Sequence, residues 1–229
     1  MKSVREICDS FKGAFSFSAT RGAHRYTIKD TSSAGTPTYA STADGAVLTL
    51  ASTNEAEIVT LYSSDILWLD IDDLVSITFH GVKLSTSFVD DVVIGLGSAQ
   101  NDTLDSVAAN AWFKCTGSNS IVVESDDGTT DKDDIATGLS LGSTARSLTI
   151  DFSTEVKTVN PGTSTGKIAT FFVEDSNGLM RRVGTGTCFD MSAYSSGLQP
   201  FIQLQKASGT TTPSVTVAGI SVKFREAFA

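Results

Sequence analysis

Basic charge, histidine, cysteine and long apolar runs are all scarce in this chain, and each shortage excludes something. Seventeen Lys and Arg stand against 26 Asp and Glu in 229 residues, a net charge of −9. An acidic body repels phosphate backbones, so nucleic acid is not an expected partner. No apolar stretch approaches the roughly 18 residues of a membrane-spanning helix, so no membrane partner is expected either. The opening Met1-Lys2-Ser3-Val4-Arg5-Glu6 leads into no apolar segment of the kind a secretory leader carries. Cys8, Cys115 and Cys188 are an odd number without metal-type spacing. They read as free thiols, which suits synthesis in a reducing cytoplasm.

Catalytic signatures are equally thin. His24 and His80 have no second His or Cys at ligand spacing and read as surface or strand-edge residues. Gly162-Thr-Ser-Thr-Gly166 matches the nucleophile-elbow pattern, but Asn160-Pro161 precedes it and a β-type run follows, so the match reads as coincidence. Phosphate-cradling glycine loops are absent. Glycoside hydrolysis needs two facing carboxylates, and Glu55-Ala-Glu57 is the nearest approach to alternating acids on a strand. These absences set the expectation of a protein that is not an enzyme and needs no cofactor.

What is present is a two-residue beat. Ser147-Leu-Thr-Ile-Asp-Phe-Ser153 alternates apolar and polar side chains, and the beat recurs around Phe171, at Phe201–Gln205 and from Val215 to Phe224. Half-buried antiparallel strands read this way. Further strands are expected at Ala46–Leu50, Glu57–Tyr62, Ile66–Asp70 and Leu74–Leu84. Hairpins are expected across Thr116–Asn119 and Asp175–Gly178. The apolar phase slips at His80-Gly81 and again at Ala218-Gly219. A one-residue slip sends half a strand to the wrong face unless a bulge restores it, so a bulge is expected at each glycine, with an interrupted strand pair as the alternative. Val4–Lys12 reads as a short helix or an arm, and Leu104–Asn110 as the best internal helix candidate. The fold class that follows is all-β, an antiparallel β-sandwich of jelly-roll type with at most one or two short helices. Residues 1–45 form an N-terminal arm and irregular segment, and residues 46–229 a single sandwich domain.

Charge is uneven. Residues 1–29 carry six basic and two acidic side chains, whereas residues 65–134 carry three basic and fourteen acidic ones. Lys2, Arg5 and Lys12 in the basic start suit docking on an acidic surface. Ser125–Asp134 places five carboxylates in ten residues. It reads as a solvated hairpin tip, or as a Ca²⁺ loop using Asp126, Asp127, Asp131 and Asp133, although the EF-hand order of ligands is absent. Trp68 lies among apolar neighbours and reads as core. Trp112 reads as core or as an exposed ring on which a sugar could stack.

From Leu74 onward the order of blocks resembles the concanavalin-A-like (laminin-G-like) jelly rolls. Arg146–Phe152, the hairpin Ala169–Gly178, Leu198–Gln205 and Val215–Phe224 carry the likeness. Ala108–Phe113, Val122–Asp131, Phe189–Tyr194 and Ser208–Ser214 are similar to blocks in structural proteins of tailed bacteriophages. That resemblance implies a noncatalytic virion protein, a head decoration or cement protein on the capsid exterior. Its implied partners are the major capsid protein and copies of itself in a trimer or dimer. The alternative is a glycan-binding module of a tail fibre or surface appendage. The resemblance brings no catalytic residues with it.

Overall fold

A computed structural model describes residues 3–13, 17–18, 25–85, 90–156 and 166–226. The described strands are Ser3–Ser10 (β1), Thr27–Asp30 (β2), Thr38–Ser41 (β3), Ala46–Thr49 (β4), Glu57–Tyr62 (β5), Leu69–Asp70 (β6), Leu74–Leu84 (β7), Asp91–Gly97 (β8) and Asn110–Cys115 (β9). They continue with Ser120–Asp126 (β10), Asp131–Ser140 (β11), Arg146–Val156 (β12), Gly166–Glu174 (β13), Met180–Val183 (β14), Phe189–Asp190 (β15), Gly197–Lys206 (β16), Ser214–Val217 (β17) and Gly219–Glu226 (β18).

These strands form two antiparallel sheets. Sheet one runs β14-β13-β12-β7-β17-β4-β3, with β18 also on β7, β1 on β18 and β15 on β13. Sheet two runs β11-β10-β9-β8-β16-β5-β2, with β6 on β16. The alternation explains the layering. Ile77, Phe79, Leu148, Ile150, Phe152, Phe171 and Val222 point inward from sheet one, and Ile94, Leu96, Phe113, Val123, Ile202 and Leu204 meet them from sheet two. The expected all-β sandwich is the observed one, and its sole described helical turn is the 3₁₀ segment Leu104–Ser106.

The two phase slips lie side by side: the first is the expected bulge, and the second is corrected to an interruption between two strands. Opposite β12, Val82 pairs with Arg146 and Phe79 with Leu148, so His80 and Gly81 together face Ser147. That is a bulge, and Gly81 sits at φ 61°. Beside it the Ala218 N–H donates to the His80 carbonyl at 2.8 Å. There the neighbouring chain divides into β17, which pairs with one end of β7, and β18, which pairs with the rest. Val215, Val217, Ile220 and Val222 are all buried as a result.

Three local expectations are corrected. Where a short helix or an arm is expected over Val4–Lys12, Ser3–Ser10 forms the edge strand β1, because the backbone edge of β18 offers it eight paired positions. Only Leu104–Ser106 is helical in the internal candidate, since Asn110 onward is taken into β9. Strand Ile66–Asp70 shrinks to Leu69–Asp70, because Ser64 and Asp65 turn the chain at φ 58° and 56° and leave Ile66 and Leu67 exposed.

Candidate functional site

The outward face of sheet two is where chemistry collects. On β9 the inward Ala111, Phe113 and Cys115 alternate with outward Asn110, Trp112 and Lys114. On β10, Glu124 and Asp126 share that outward face, being paired with Trp112 and Asn110. Asp126 in turn pairs with Asp131 at the start of β11. The segment between β8 and β9 folds back over part of this face. Its Leu104 and Val107 cover Trp112, Phe201 and Val93 in a second, smaller apolar cluster. The Trp112 and Phe201 rings lie 5.8 Å apart, and Gly95 leaves room beside Trp112 that a Cβ would fill.

What remains open is a polar cleft of about 360 Å³ lined by Asp105, Val107, Asn110, Lys114, Glu124, Asp126, Asp131, Asp133 and Asp134. Lys114 Nζ lies 3.2 Å from Glu124 and 3.1 Å from Asp134. Burial works against the Lys114 ammonium, but Glu124 and Asp134 outweigh it and its pKa is raised. Burial also raises the Glu124 carboxyl, with the Lys114 charge opposing. Asp133 is raised by desolvation and by the neighbouring charge of Asp131. Asn110 is 2% exposed, and its side-chain carbonyl oxygen has no hydrogen-bond partner. The Trp112 indole N–H faces the Glu124 carboxylate without reaching hydrogen-bond geometry.

The Ca²⁺ candidates separate. Asp126, Asp131 and Asp133 line the cleft. Asp127 does not join them. Its Oδ1 accepts the N–H groups of Thr129 and Thr130, and its Oδ2 accepts that of Ala193 at 2.9 Å, which pins the hairpin to a distant loop. Among the described residues no three or more His, Cys, Asp or Glu side chains are arranged to hold a metal ion. The stacking role considered for Trp112 is corrected, because the ring is 0% exposed beneath Leu104 and Val107 and shows no face to solvent. Trp68 is partly buried against the core, with the Arg25 guanidinium 4.9 Å above its ring.

Arg5 and Lys12 are exposed on and just beyond β1, in the other layer, while Lys2 lies outside the described residues. His80 is exposed and hydrogen-bonds Ser221 at 2.8 Å, whereas His24 and residues 162–165 of the Gly-x-Ser-x-Gly match fall outside the described residues. Glu55 and Glu57 are spent on structure. Glu55 accepts the Ser33 hydroxyl and then the N–H groups of Gly35, Ala34 and Ser33, which hold its pKa down at about 2, and Glu57 pairs with Lys206.

Sequence reasoning missed Asn110, Lys114, Glu124, Asp105 and Asp134. The signal was present in part. Asn110-x-Trp112-x-Lys114 and Glu124-x-Asp126 repeat at period two on the two strands of a hairpin that the turn residues had already marked. Glu124 and Asp126 give two carboxylates on one face, the raw material of glycoside hydrolysis. Glu124 is 3% exposed and lies 3.2 Å from Lys114, with its carboxyl raised by burial.

No family model and no curated protein matches the sequence. Solved structures do match in shape. Bacillus licheniformis β-glucanase superposes with a TM-score of 0.57 at 9% identity, covering 95% of this chain and 97% of that one. Peanut lectin gives 0.55 at 9% identity, covering 97% of each chain. The exoplasmic/lumenal domain of VIP36, in its Ca²⁺/Man3GlcNAc-bound form, gives 0.51 at 8% identity, covering 98% of this chain and 89% of that one. The fold is thus that of the concanavalin-A-like, legume-lectin-like jelly rolls, an architecture shared by lectins and glycoside hydrolases.

Proposed function

We propose that this protein is a carbohydrate-binding jelly roll whose ligand lies in the acidic cleft on the outward face of sheet two. The observation that carries this reading is the cleft itself, open on this face and lined by eight polar or charged side chains and one apolar one. Among those side chains the Asn110 carbonyl oxygen is buried without a partner, a costly state that a donor reaching it from the cleft would relieve. Sugar hydroxyls are donors of suitable size and number. The lectins of like fold support the reading as fold relatives. The test is a glycan array followed by calorimetry on the best ligand, with and without EDTA. Retention of a defined glycan, weakened by Asn110→Ala, is the expected result. An array with no retained glycan would overturn the assignment, and the EDTA arm reports whether a cation takes part.

A second reading is favoured by a different observation. β1 is an edge strand carrying exposed Val4 and Arg5, with Lys12 exposed just beyond it. An open strand edge with basic side chains suits docking on a larger assembly. In this reading the protein decorates the outside of a phage head, in contact with the major capsid protein and with its own copies as a trimer or dimer. Co-sedimentation with purified shells, and a rise in shell melting temperature on addition, are expected; a protein left in the supernatant would exclude this role.

A further inference from the structure

The cleft has a chemical bias that narrows the class of sugar. Its lining holds six carboxylates (Asp105, Glu124, Asp126, Asp131, Asp133 and Asp134) and one ammonium, Lys114, a formal balance of −5. Ionised carboxylates only accept hydrogen bonds. The Lys114 ammonium is already committed to Glu124 and Asp134. The Asn110 side chain carries one acceptor and an amide donor. Six carboxylates therefore outweigh the donors of the lining, and the cleft is rich in acceptors and negative charge. A cleft lined by one sign of charge concentrates ligands of the other sign.

We propose that the ligand of this cleft is an amino sugar carrying a free, protonated amine, such as an oligosaccharide of glucosamine, rather than a neutral or uronic-acid glycan. The inference rests on the carbohydrate-binding reading and names the substrate class for that site. An ammonium brings three donors and a positive charge, and hydrogen bonds between charged partners are about twice as strong as neutral ones. Acetylating the amine removes the charge and two of those donors. A uronate adds a charge that the carboxylates of the cleft repel. Asp131, Asp133 and Asp134 stand together on one wall of the cleft, and the Asp133 carboxyl is raised first by desolvation and then by the charge of Asp131.

The test is calorimetry on the full chain with four probes: the glucosamine tetramer, its N-acetylated counterpart, the galacturonate tetramer and spermidine. The glucosamine tetramer is expected to bind roughly tenfold or more tightly than the acetylated one, the worth of one charge-assisted hydrogen bond. That ratio is expected to shrink as salt is raised and to fall toward unity in Asp131→Asn/Asp133→Asn. Should the double variant fail to fold, the ratio and its salt dependence in the unaltered protein still decide. Equal or tighter binding of the acetylated or uronate tetramer overturns the proposal while leaving carbohydrate binding intact. Spermidine binding as tightly as the glucosamine tetramer overturns the sugar assignment in favour of bare amine charge. Failure of every glycan, on the array as well, strikes the proposed function itself.

Discussion

Lys206 and Glu57 are both 0% exposed, and their ion pair spans 3.2 Å. Lys206 Nζ also lies within hydrogen-bond reach of the carbonyl oxygens of Ala51, Thr53, Gly209 and Thr211, so one ammonium ties the chain before β5 to the chain after β16. Removing one partner of such a pair strands a buried charge. Lys206→Met is therefore expected to cost about 3–5 kcal/mol in urea unfolding; a loss below about 1 kcal/mol would mean that water reaches Glu57 readily. Lys114 contrasts with it. Its side chain is 16% exposed and shared between two carboxylates at the wall of an open cleft. The first lysine is sealed inside the fold; the second lines an open cleft.

The shared kink of β7 and the β17–β18 break shows how strands cooperate. A Cβ at Gly81 would lie 2.7 Å from the Ala218 Cβ, and the residue sits at φ 61°. Both the clash and the backbone conformation select glycine. Gly81→Ala is expected to destabilise by about 1–3 kcal/mol. Placing it in an Ala218→Gly background should recover the part due to the clash and leave the part due to φ. Thermal melts of the two variants measure the split, and a Gly81→Ala protein as stable as the parent would show that the bulge relaxes freely. The same kink keeps Phe79 and Val82 on the core side of one strand, so the curvature and the continuity of the core have one cause.

The whole sandwich depends on how its edges and outer faces are finished. β1 covers the edge of β18, and the 98–109 segment covers part of the outward face of sheet two. Uncovered edges are templates for pairing with other chains. Deleting residues 1–9 removes β1 yet spares the buried Phe11, whose ring packs edge-to-face on Phe17 and Tyr26. The truncated protein is expected to melt lower and to self-associate in light scattering through the bared β18. A truncated chain that stays monodisperse with unchanged melting would show that β1 is dispensable to the sandwich.

Much of the fold was legible in the chain because alternation is a local property. Ser147–Ser153, the turns at Thr116–Asn119 and Asp175–Gly178, and the slip at His80-Gly81 each report on their own strand without reference to any other. The cleft was legible only in fragments. Alternation shows that Glu124 and Asp126 share a face, but not that Asn110, Lys114 and Asp105 share it too, because neighbours in a sheet are chosen by the packing of the whole chain. Trp112 illustrates the limit most clearly. Its own strand puts it on the outward face, and only the returning 98–109 segment, through Leu104 and Val107, decides that this face is closed to solvent. The sequence by itself determined the layers and their bends through local sterics and periodicity. Tertiary structure alone decided which outward side chains meet, because that depends on contacts between residues far apart along the chain.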